Sequence, residues 1–560
     1  MGDVYPVGTS IPDHYLVPPE LQPMYTEVLG APVPEQVNVG VELSDRQVAA
    51  GLGAATALIH HESGRRWTYT DLSRESDRFA GALLGRGLRL GDRVAIRSPN
   101  RPEAVVAAIA IWKAGGVVVP TPVQAKGAEL RYFLDDVEAR FVIAYADDPE
   151  PEHLAAAVDG GTVEQVIVFG PGEESSPYTS WARLVEPVSG RLAVPPRSGD
   201  HVALVWHTGG TTGQPKACYH THRRFLLAGH ATGLATGVRS GEVWAAAAPI
   251  GHALGFIYHT NFTLLHGATA VLIERYADPE SVARAIGRHR VGTFTAVAIA
   301  WSGLASALER DPSLDVSSLH RAFAMWQTSG PSPVREQWRS RGLELMNNFG
   351  STAFAGWALA PRAGEGFEPA SLGRASPGYT ALAVESDTAS GVQEVADGTV
   401  GRLAVRGPSG LTYWRRPELQ RRDVVEGWTL ADDLIRYEPS GNATYLGRTD
   451  FMISTAGYKV VPAEVEAALG SHPGVRDVCV VGAPDPERQE VVTAYVVPAP
   501  GYPPSSLLVS QLQAHVKGAI SPYKYPRRIE FVAALPRDQV GKLQTRAVQE
   551  WARTGRGLTS

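Results

Sequence analysis

The sequence predicts an α/β protein with a large N-terminal domain of layered sheets and helices, including a small β region, and a small, mobile α+β C-terminal domain. The chain of 560 residues is too long for one hydrophobic core, so more than one domain is expected. Apolar strands alternate with helical patterns in the first part, and the pattern changes near residues 399 and 450. We therefore place the domains at residues 1–449 and 450–560.

The clearest local pattern is a strand, a helix and a second strand in close succession. Residues 93–97 predict the first strand, and Asn100 is predicted to cap the helix that follows. We expect this helix to run to Lys113 and to end at Gly115, before a buried strand at residues 117–119. Units of this kind predict a parallel sheet covered by helices.

Similar patterns predict the other elements. The N-terminal domain is predicted to repeat the strand, helix and strand unit at residues 141–145, 152–158 and 165–169, and again at residues 269–273, 279–289 and 293–298. The small β region is predicted at residues 399–444, and the C-terminal domain at a helix of residues 462–469 and strands of residues 475–481 and 490–497.

Composition and charge narrow the class of protein. Apolar residues make up 44% and charged residues 20%, as in an ordinary globular protein, and the net charge of −6 favours neither a nucleic-acid nor a membrane partner. Two cysteines, Cys218 and Cys479, cannot build a disulfide framework, which indicates a reducing compartment. The N-terminus lacks signal-peptide features, so we expect a cytoplasmic protein, either a monomer or a homodimer.

The most informative motif is a Gly/Thr-rich loop after the apolar strand of residues 202–206. Its candidate phosphate-binding residues are Thr208, Gly209, Gly210, Thr211, Thr212, Gly213 and Lys216. Glycine lets backbone N–H groups approach an anion, the threonines add hydroxyl donors, and the lysine adds a positive charge. The loop lacks the closing Gly-Lys-Ser/Thr of a Walker motif, so it predicts a different nucleotide-binding loop.

The loop resembles the signature of the adenylate-forming superfamily, which includes acyl-CoA synthetases, luciferases and carrier-loading adenylation domains. That signature reads Thr-Ser-Gly-Thr-Thr-Gly-x-Pro-Lys, and this chain departs from it only at Gly209. Further family motifs follow in the family's order across most of the chain. The resemblance implies that ATP and Mg²⁺ activate a carboxylic acid to an acyl-adenylate, which then passes to the thiol of CoA.

The resemblance also implies roles for residues of the later motifs. The nucleotide-binding residues would include Asn348, Phe349, Gly350, Ser351, Gly330, Pro331, Asp433 and Arg448. Phe349 is expected to stack on adenine, and Asp433 is expected to bind the ribose hydroxyls.

The C-terminal motifs imply a hinge, a thiol channel and a catalytic lysine. Asp450 is expected to be the hinge, and Gly457, Tyr458 and Lys459 are expected to line the path of the thiol. Lys542 matches the family's catalytic lysine. Attack of a carboxylate on the α-phosphate brings two anions together, so a lysine and fixed N–H donors are the groups that this step needs.

Thr352 and His252 complete the predicted catalytic set, and the residue after Thr352 departs from the family. Ala353 stands where the family places a glutamate that helps to hold magnesium. The ion would then depend on phosphate oxygens, water and the hydroxyl of Thr211 or Thr212. We expect slower adenylation as a result.

The predicted acyl pocket contains flat and small side chains, namely His252, Phe256, Ala298, Trp326 and Gly330. Such a pocket suits a planar aromatic acid better than a long acyl chain. His252 could gate the pocket or orient the carboxylate, or it could be bonded locally at the start of a helix. Residues 37–50, 456–466 and 522–527 resemble benzoate- and 2-aminobenzoate-CoA ligases, which implies a substituted benzoate such as 2-aminobenzoate or hydroxybenzoate.

Two alternatives remain open at this stage. A stand-alone enzyme could load the phosphopantetheine thiol of a separate acyl-carrier protein instead of CoA, and it would use the same residues. A weakly active nucleotide-binding relative is the other alternative. Ala353 favours that second alternative, whereas Lys216, Asp433 and Lys542 oppose it.

Overall fold

The structure is a computed structural model of the chain. It describes residues 11, 13–28, 30, 32–148, 150–208, 215–325, 333–362, 371–385, 388, 391–455, 458–485, 488–537 and 543–554.

The strands are numbered in chain order. They are β1 (Thr56–His60), β2 (Arg66–Thr68), β3 (Arg93–Arg97), β4 (Val117–Thr121), β5 (Phe141–Tyr145), β6 (Gln165–Phe169), β7 (Thr179–Ser180), β8 (Val202–Thr208), β9 (Lys216–Thr221), β10 (Val243–Ala246), β11 (Thr269–Leu272), β12 (Thr293–Val297), β13 (Arg321–Met325), β14 (Leu345–Asn347), β15 (Phe349–Ser351), β16 (Gly356–Ala360), β17 (Ser371–Ala375), β18 (Thr380–Val384), β19 (Gly401–Arg406), β20 (Val424–Val425), β21 (Trp428–Tyr437), β22 (Ala443–Arg448), β23 (Ile453–Thr455), β24 (Tyr458–Val460), β25 (Val475–Asp485), β26 (Gln489–Pro498) and β27 (Arg528–Phe531).

The helices are numbered in the same way. They are α1 (Val39–Leu43), α2 (Asp45–Gln47), α3 (Tyr69–Gly85), α4 (Pro102–Ala114), α5 (Gly127–Asp136), α6 (Pro151–Val158), α7 (Trp181–Val185), α8 (His222–Thr236), α9 (Ala253–Thr260), α10 (Phe262–Leu265), α11 (Pro279–His289), α12 (Ala298–Arg310), α13 (Pro333–Arg339), α14 (Pro417–Asp423), α15 (Pro462–Gly470), α16 (Ser506–Ala519) and α17 (Thr545–Thr554).

Two largely parallel sheets form the N-terminal part and confirm the predicted α/β class. The first sheet has the strand order β7-β6-β5-β3-β4-β8-β9, and β9 is antiparallel to β8. The second has the order β14-β13-β12-β10-β11-β1-β2. Side chains of both sheets join those of α4, α8 and α9 in one hydrophobic core. These helices therefore lie between the two sheets, which is the predicted layered arrangement.

The predicted small β region is a larger antiparallel sheet than the sequence indicates. Its strand order is β15-β16-β17-β22-β21-β19-β18, with β20 beside β21. The strands of residues 401–448 match the predicted region, but β15 to β18 join them from residues 349–384. Strand β15 and the turn that follows it therefore belong to this third sheet, although β15 begins two residues after the end of β14, an edge strand of the second sheet.

The C-terminal part forms its own sheet and core. The strand order is β24-β23-β26-β25, with β27 parallel to β26, and α15 and α16 pack on this sheet around a core that includes Val465 and Leu512. Leu434 and Leu446 also pack against Val461 and Ala463, across the predicted boundary. The division at residue 450 and the mobility of this domain stay predictions.

The predicted helix cap at Asn100 is wrong. Helix α4 begins at Pro102 after Arg101, which gives it no side-chain cap. The Asn100 amide donates instead to the carbonyl oxygens of Ala248 (2.9 Å) and Ile273 (3.0 Å), and its oxygen accepts from the Ile250 N–H (2.7 Å). The predicted end of this helix at Gly115 is confirmed, because that residue takes the left-handed conformation with φ of 94°.

None of the helices in the described part of the chain is both long enough and apolar enough to cross a lipid bilayer.

Candidate active site

Several predicted site residues follow the carboxyl ends of neighbouring parallel strands. Strands β10, β12, β13 and β14 are adjacent and parallel in the second sheet. His252 follows β10, Ala298 follows β12 and Asn348 follows β14. Parallel strands bring such residues to one edge of the sheet, where open α/β folds bind ligands. Trp326, Gly330 and Pro331 lie outside the described residues.

His252 occupies the start of α9. Its ring nitrogen Nδ1 accepts a hydrogen bond from the Leu254 N–H (3.3 Å), so the side chain caps the helix, and it is exposed. Asn100 holds the segment just before it through Ala248 and Ile250. Sequence reasoning missed this role of Asn100, because its partners are 148 and 150 residues away. The predicted role of His252 at the entrance of the acyl pocket stays a prediction.

Phe256 points into the hydrophobic core. Its ring lies 6.1 Å from Trp112, 6.1 Å from Trp206 and 6.3 Å from Phe225, and it is 1% exposed. Ala298 is the first residue of α12 and is half-buried. The role of Phe256 and Ala298 as pocket walls stays a prediction.

The Gly/Thr-rich loop is carried by the hairpin of β8 and β9. Thr208 ends β8 directly opposite Lys216, which begins β9. The loop residues Gly209, Gly210, Thr211, Thr212 and Gly213 lie outside the described residues. The Lys216 ammonium lies 5.9 Å from the centre of the Tyr413 ring. The lysine therefore stands at the base of the hairpin, beside the loop.

A buried ion-pair network fixes the end of β8. His207 Nε2 lies 3.1 Å from Asp136 Oδ2, and Arg416 binds the other carboxylate oxygen at 2.9 Å. Although burial alone would raise the pKa of Asp136, these two partners hold it below its usual value. The network ties the strand that enters the phosphate loop to α5 and to the start of α14.

The turn after β14 leaves one polar side chain without a partner. Asn348 is 3% exposed, and neither atom of its amide has a hydrogen-bond partner among the described residues. A buried amide in this state is costly, and it offers a donor and an acceptor side by side. An asparagine amide can pair with the adenine edge in this way. The geometry therefore supports the predicted adenine-binding role of Asn348.

The turn itself is tightly built. Phe349 is 9% exposed and lies 6.2 Å from Phe354. A side chain on Gly350 would collide with the carbonyl oxygen of Gly356 on the neighbouring strand. Ser351 is exposed and its carbonyl oxygen accepts from the Phe354 N–H (3.1 Å). Ser351 is therefore available to a ligand on a turn that allows little movement.

The carbonyl oxygen of Thr352 receives several donors from the phosphate-loop hairpin. Trp206 Nε1 lies 3.2 Å from it and His220 Nε2 lies 2.7 Å from it, while Cys218 Sγ is 3.9 Å away. Sequence reasoning did not assign Trp206 or His220, since each reads as a strand residue and its partner is distant in sequence. The hairpin and the Thr352 turn are therefore joined directly.

The described cysteines and His220 are electrically neutral. Burial raises the pKa of the Cys218 thiol to about 12. Burial also lowers the pKa of His220 to about 4, although its bond to the Thr352 carbonyl acts in the other direction. Cys479 is fully buried, and burial raises its thiol pKa well above the usual value. Neither thiol is available as a nucleophile at neutral pH.

The predicted ribose and hinge residues lie close together. Asp433 on β21 pairs with Arg448 on β22, and Asp433 Oδ1 accepts from the Tyr445 hydroxyl (3.4 Å). Arg448 Nη2 lies 3.2 Å from Asp432 and 3.7 Å from Asp450. The Nε atom of Arg448 is buried and has no partner among the described residues. This arrangement leaves Arg448 able to bind a further anion.

The predicted C-terminal residues are only partly described. Tyr458 and Lys459 belong to β24 and pair with Thr455 and Ser454 of β23. Gly457 and Lys542 lie outside the described residues. The roles of these residues stay predictions.

Position 353, where the resemblance implies a carboxylate ligand for magnesium, carries an alanine. Ala353 is 9% exposed and packs in the main hydrophobic core, so it offers no ligand atom. Magnesium favours oxygen ligands, usually one or two carboxylates with water and phosphate. The described turn therefore does not fit a protein-held magnesium ion, and the predicted hydroxyl ligands Thr211 and Thr212 lie outside the described residues.

A separate group of possible metal ligands lies at the ends of β1 and β11. His60 Nε2 is 2.7 Å from Glu274 and 3.4 Å from Glu62. The Arg101 guanidinium lies 3.0 Å from the same Glu274 oxygen, and backbone N–H groups bind Glu62. Because Arg101 and backbone N–H groups already bind the two glutamates, we interpret His60, Glu62 and Glu274 as an ion-pair cluster.

Comparison with known proteins identifies the family of the chain. A model described as AMP-binding enzyme matches residues 45–414, and one described as AMP-binding enzyme C-terminal domain matches residues 464–542. The benzoate–CoA ligase of Thauera aromatica is 30% identical over 544 residues, which cover 96% of this chain and 98% of that protein. The medium-chain fatty-acid–CoA ligase of Escherichia coli (strain K12) is 28% identical over 509 residues, 89% of this chain and 88% of that protein.

The crystal structure of the anthranilate CoA ligase AuaEII in complex with anthranoyl-AMP has the same fold. The TM-score is 0.82 at 26% sequence identity, and the match covers 93% of this chain and 98% of that chain. The predicted superfamily and the predicted class of enzyme are therefore confirmed. The chain belongs to the AMP-binding enzyme family, and it is an AMP-forming acid–thiol ligase of the acyl-CoA synthetase type.

Proposed function

We propose that this enzyme activates an aromatic carboxylic acid, a substituted benzoate such as 2-aminobenzoate or hydroxybenzoate, and transfers the aryl group to CoA. The products would be aryl-CoA, AMP and pyrophosphate. The similarity to a benzoate–CoA ligase and to a ligase with bound anthranoyl-AMP supports an aromatic acid. The similarity to a medium-chain fatty-acid ligase is the reason for testing acyl chains as well.

The observation that carries the proposal is the unpartnered amide of Asn348 beside the fixed Thr352 turn. Asn348 supplies a donor and an acceptor for adenine, and the bonds from β8 and β9 hold Thr352 next to the phosphate-loop hairpin. The base and the phosphates of one nucleotide would then be bound by one continuous surface. Asp433 and Arg448 would bind the ribose and the α-phosphate from the neighbouring sheet.

The proposed reaction has two steps. A carboxylate oxygen attacks the α-phosphorus, the new O–P bond forms, and pyrophosphate leaves. The Gly/Thr-rich loop, Lys216 and Lys542 would stabilise the negative charge on the transferring phosphate. The thiol of CoA then attacks the acyl carbon, the C–S bond forms and AMP leaves. Asp450 would be the hinge that removes Lys542 and brings Gly457, Tyr458 and Lys459 to the thiol. No step is assigned to a protein-held magnesium ion.

The test is ATP–pyrophosphate exchange with benzoate, 2-aminobenzoate, hydroxybenzoates and fatty acids, with and without CoA. We expect exchange with at least one aromatic acid and AMP release that depends on CoA. Lys542→Ala should abolish exchange, whereas Lys517→Ala, an exposed lysine of the same domain that stacks on Tyr525, should not.

Each other outcome has a definite meaning. Exchange with an aromatic acid but no turnover of CoA would indicate that the acceptor is the phosphopantetheine thiol of an acyl-carrier protein. Exchange with fatty acids alone would reject the aromatic substrate. The absence of exchange with every acid would support the weakly active nucleotide-binding relative and reject the proposal.

A further inference from the structure

We propose that Trp206 and His220 are positioning residues for acid activation, because together they clamp the carbonyl oxygen of Thr352 against the phosphate-loop hairpin. The proposal rests on the proposed function, in which Thr352 and the Gly/Thr-rich loop contact the same phosphates. We define the Thr352 clamp as Trp206, His220, Ser409 and the Thr352 carbonyl.

The hydrogen bonds of the clamp have one consistent direction. A carbonyl oxygen only accepts, so His220 Nε2 must carry the proton that is donated to Thr352 over 2.7 Å. His220 Nδ1 is then an acceptor, and the hydroxyl of Ser409 donates to it over 2.9 Å. Trp206 Nε1 is a donor only, and it adds a second bond over 3.2 Å. The carbonyl oxygen therefore has both of its lone pairs bonded.

Burial makes these bonds difficult to replace with water. Trp206 and His220 are each 2% exposed, and Ser409 is 1% exposed. A buried donor or acceptor that loses its partner bears the full cost of desolvation. The low pKa of His220, about 4, keeps the ring neutral at neutral pH. The clamp is thus a neutral, water-poor network that keeps one geometry.

The clamp joins the two halves of the nucleotide site. Trp206 lies on β8 and His220 lies on β9, so one donor stands on each strand that carries the phosphate loop. Thr352 begins the turn after β15 in the third sheet. The hydrogen bonds from Trp206 on β8 and from His220 on β9 to the Thr352 carbonyl oxygen hold the turn against the hairpin. The clamp thus sets the position of the Thr352 turn relative to the two strands that carry the loop.

The substitution at Ala353 increases the importance of this clamp. The family places a carboxylate at this position, where a bound cation would help to hold the turn from the ligand side. In this chain the Ala353 methyl group packs into the core and makes no polar contact. The bonds to the preceding carbonyl therefore restrain the turn together with the Phe354 N–H bond to Ser351 (3.1 Å) and the Tyr379 hydroxyl bond to the Phe354 carbonyl (3.0 Å).

The experiment compares His220→Leu with His220→Gln and Trp206→Phe. Leucine removes both polar contacts of the ring, whereas glutamine can place an N–H donor near the position of Nε2. The main readout is ATP–pyrophosphate exchange with the preferred acid. We expect His220→Leu to lower kcat by about 10- to 100-fold, because small misplacements of a catalytic group cost this much. The KM values for ATP and the acid should change little, since the clamp does not contact either ligand.

The glutamine and phenylalanine variants should show graded losses of kcat, and a fourth variant is the control. His220→Gln should recover most of the kcat, and Trp206→Phe should show a smaller loss, since the shorter His220 bond remains. His266→Leu is the matched control, because His266 bonds the Phe262 carbonyl (2.8 Å) at the end of α10 and does not contact Thr352. It should leave the kcat near the wild-type value.

Hydrogen exchange of peptides that cover residues 348–356 provides a readout that needs no activity. His220→Leu should speed exchange in this turn, and His220→Gln should restore protection. A wild-type kcat and wild-type protection in His220→Leu would overturn the proposal. Equal losses of kcat and of melting temperature in the leucine and glutamine variants would also overturn it, since a merely structural histidine behaves in this way. If the wild-type enzyme shows no exchange with any acid, the proposed function fails, and the hydrogen-exchange result still decides the clamp.

Discussion

Single residues explain how this chain differs from the sequence pattern of its family. The Thr352 carbonyl accepts two buried N–H donors, while the next residue, Ala353, gives no carboxylate to the site. Gly209 also removes a hydroxyl from the phosphate loop. The turn is therefore positioned through its backbone, and in the proposed reaction the nucleotide phosphates would have fewer protein ligands.

Ala353→Glu tests the effect of the missing carboxylate. The variant should lower the magnesium concentration that gives half-maximal exchange by about tenfold, because one added carboxylate ligand would contribute ~1.4 kcal/mol of binding free energy. Ala353→Gln is the control of equal size without charge. Equal magnesium dependence in the two variants would show that position 353 does not face the metal.

The local cap rule failed at Asn100 for a physical reason. The rule considers only the neighbours of a residue in sequence, and Arg101 intervenes before the helix. The Asn100 amide instead bonds groups that are 148, 150 and 173 residues away. These contacts depend on the packing of β10 and β11 beside α4, which no local pattern encodes.

Asn100→Ala should disturb the segment that precedes His252. We expect kcat/KM for the acid to fall about tenfold while the KM for ATP stays unchanged, because loss of one positioning contact of ~1.4 kcal/mol gives this factor. Asn100→Asp keeps the acceptor for Ile250 but places a buried carboxylate oxygen against the Ala248 and Ile273 carbonyl oxygens, so it should lose at least as much kcat/KM as Asn100→Ala. A change in the KM for ATP alone would contradict this assignment.

At the scale of elements, patterns that depend on near neighbours were predictable. Strands β3, β5 and β6 and helix α11 have the bounds that the sequence predicts. The third sheet was only partly predictable, since β15 to β18 contribute short strands from a region without clear alternation. The candidate site was predictable where a motif carries it, as at Lys216 and Asp433. The Thr352 clamp was not, because it joins strands of two different sheets.

A buried lysine connects the first helices. Lys113 on α4 is 0% exposed, and its ammonium lies 2.7 Å from Asp45 next to α1 and 2.7 Å from Asp77 on α3. Lys113→Met should lower the free energy of unfolding by about 3 kcal/mol, because the two carboxylates lose their buried partner and keep only the exposed Arg191 guanidinium. Urea denaturation followed by tryptophan fluorescence measures this change.

A second variant makes the test of Lys113 specific. Adding Asp77→Leu to Lys113→Met should recover part of the loss, since it removes one of the two carboxylates that lost the buried ammonium group. Lys126→Met, at an exposed position before α5, should leave the stability unchanged. A Lys113→Met variant as stable as the wild type would show that the buried pairs contribute nothing.

At the scale of the whole molecule, three sheets of the N-terminal part and the separate C-terminal sheet surround the proposed reaction. In the proposed reaction the second sheet would supply strand ends for the acid, the first sheet carries the phosphate-loop hairpin, and the third sheet carries the Thr352 turn, Asp433 and Arg448. The C-terminal sheet contains Tyr458 and Lys459 in β24. In the proposed reaction, the binding of the acid, of the nucleotide and of the thiol would therefore each depend on residues of different sheets.

Lys542→Ala tests whether the two half-reactions use different residues. The variant should lose adenylation, because that step needs the lysine at the transferring phosphate. It should still form aryl-CoA from a supplied aryl-adenylate and CoA, measured in a single turnover. Asp433→Ala is the contrasting variant, since the loss of a ribose contact should weaken the binding of both ATP and the aryl-adenylate. Loss of both half-reactions in Lys542→Ala would contradict the separate use of this lysine.

The most direct measurement follows the oxygen atoms of the acid. Wild-type enzyme is incubated with ATP, CoA and benzoate or 2-aminobenzoate whose carboxyl oxygens are both ¹⁸O, and the products are analysed by mass spectrometry. We expect one ¹⁸O atom in AMP and the other in the carbonyl of aryl-CoA, since one carboxylate oxygen bridges to phosphorus in the acyl-adenylate and leaves with AMP. Aryl-CoA formed with unlabelled AMP, or no aryl-CoA at all, would contradict it.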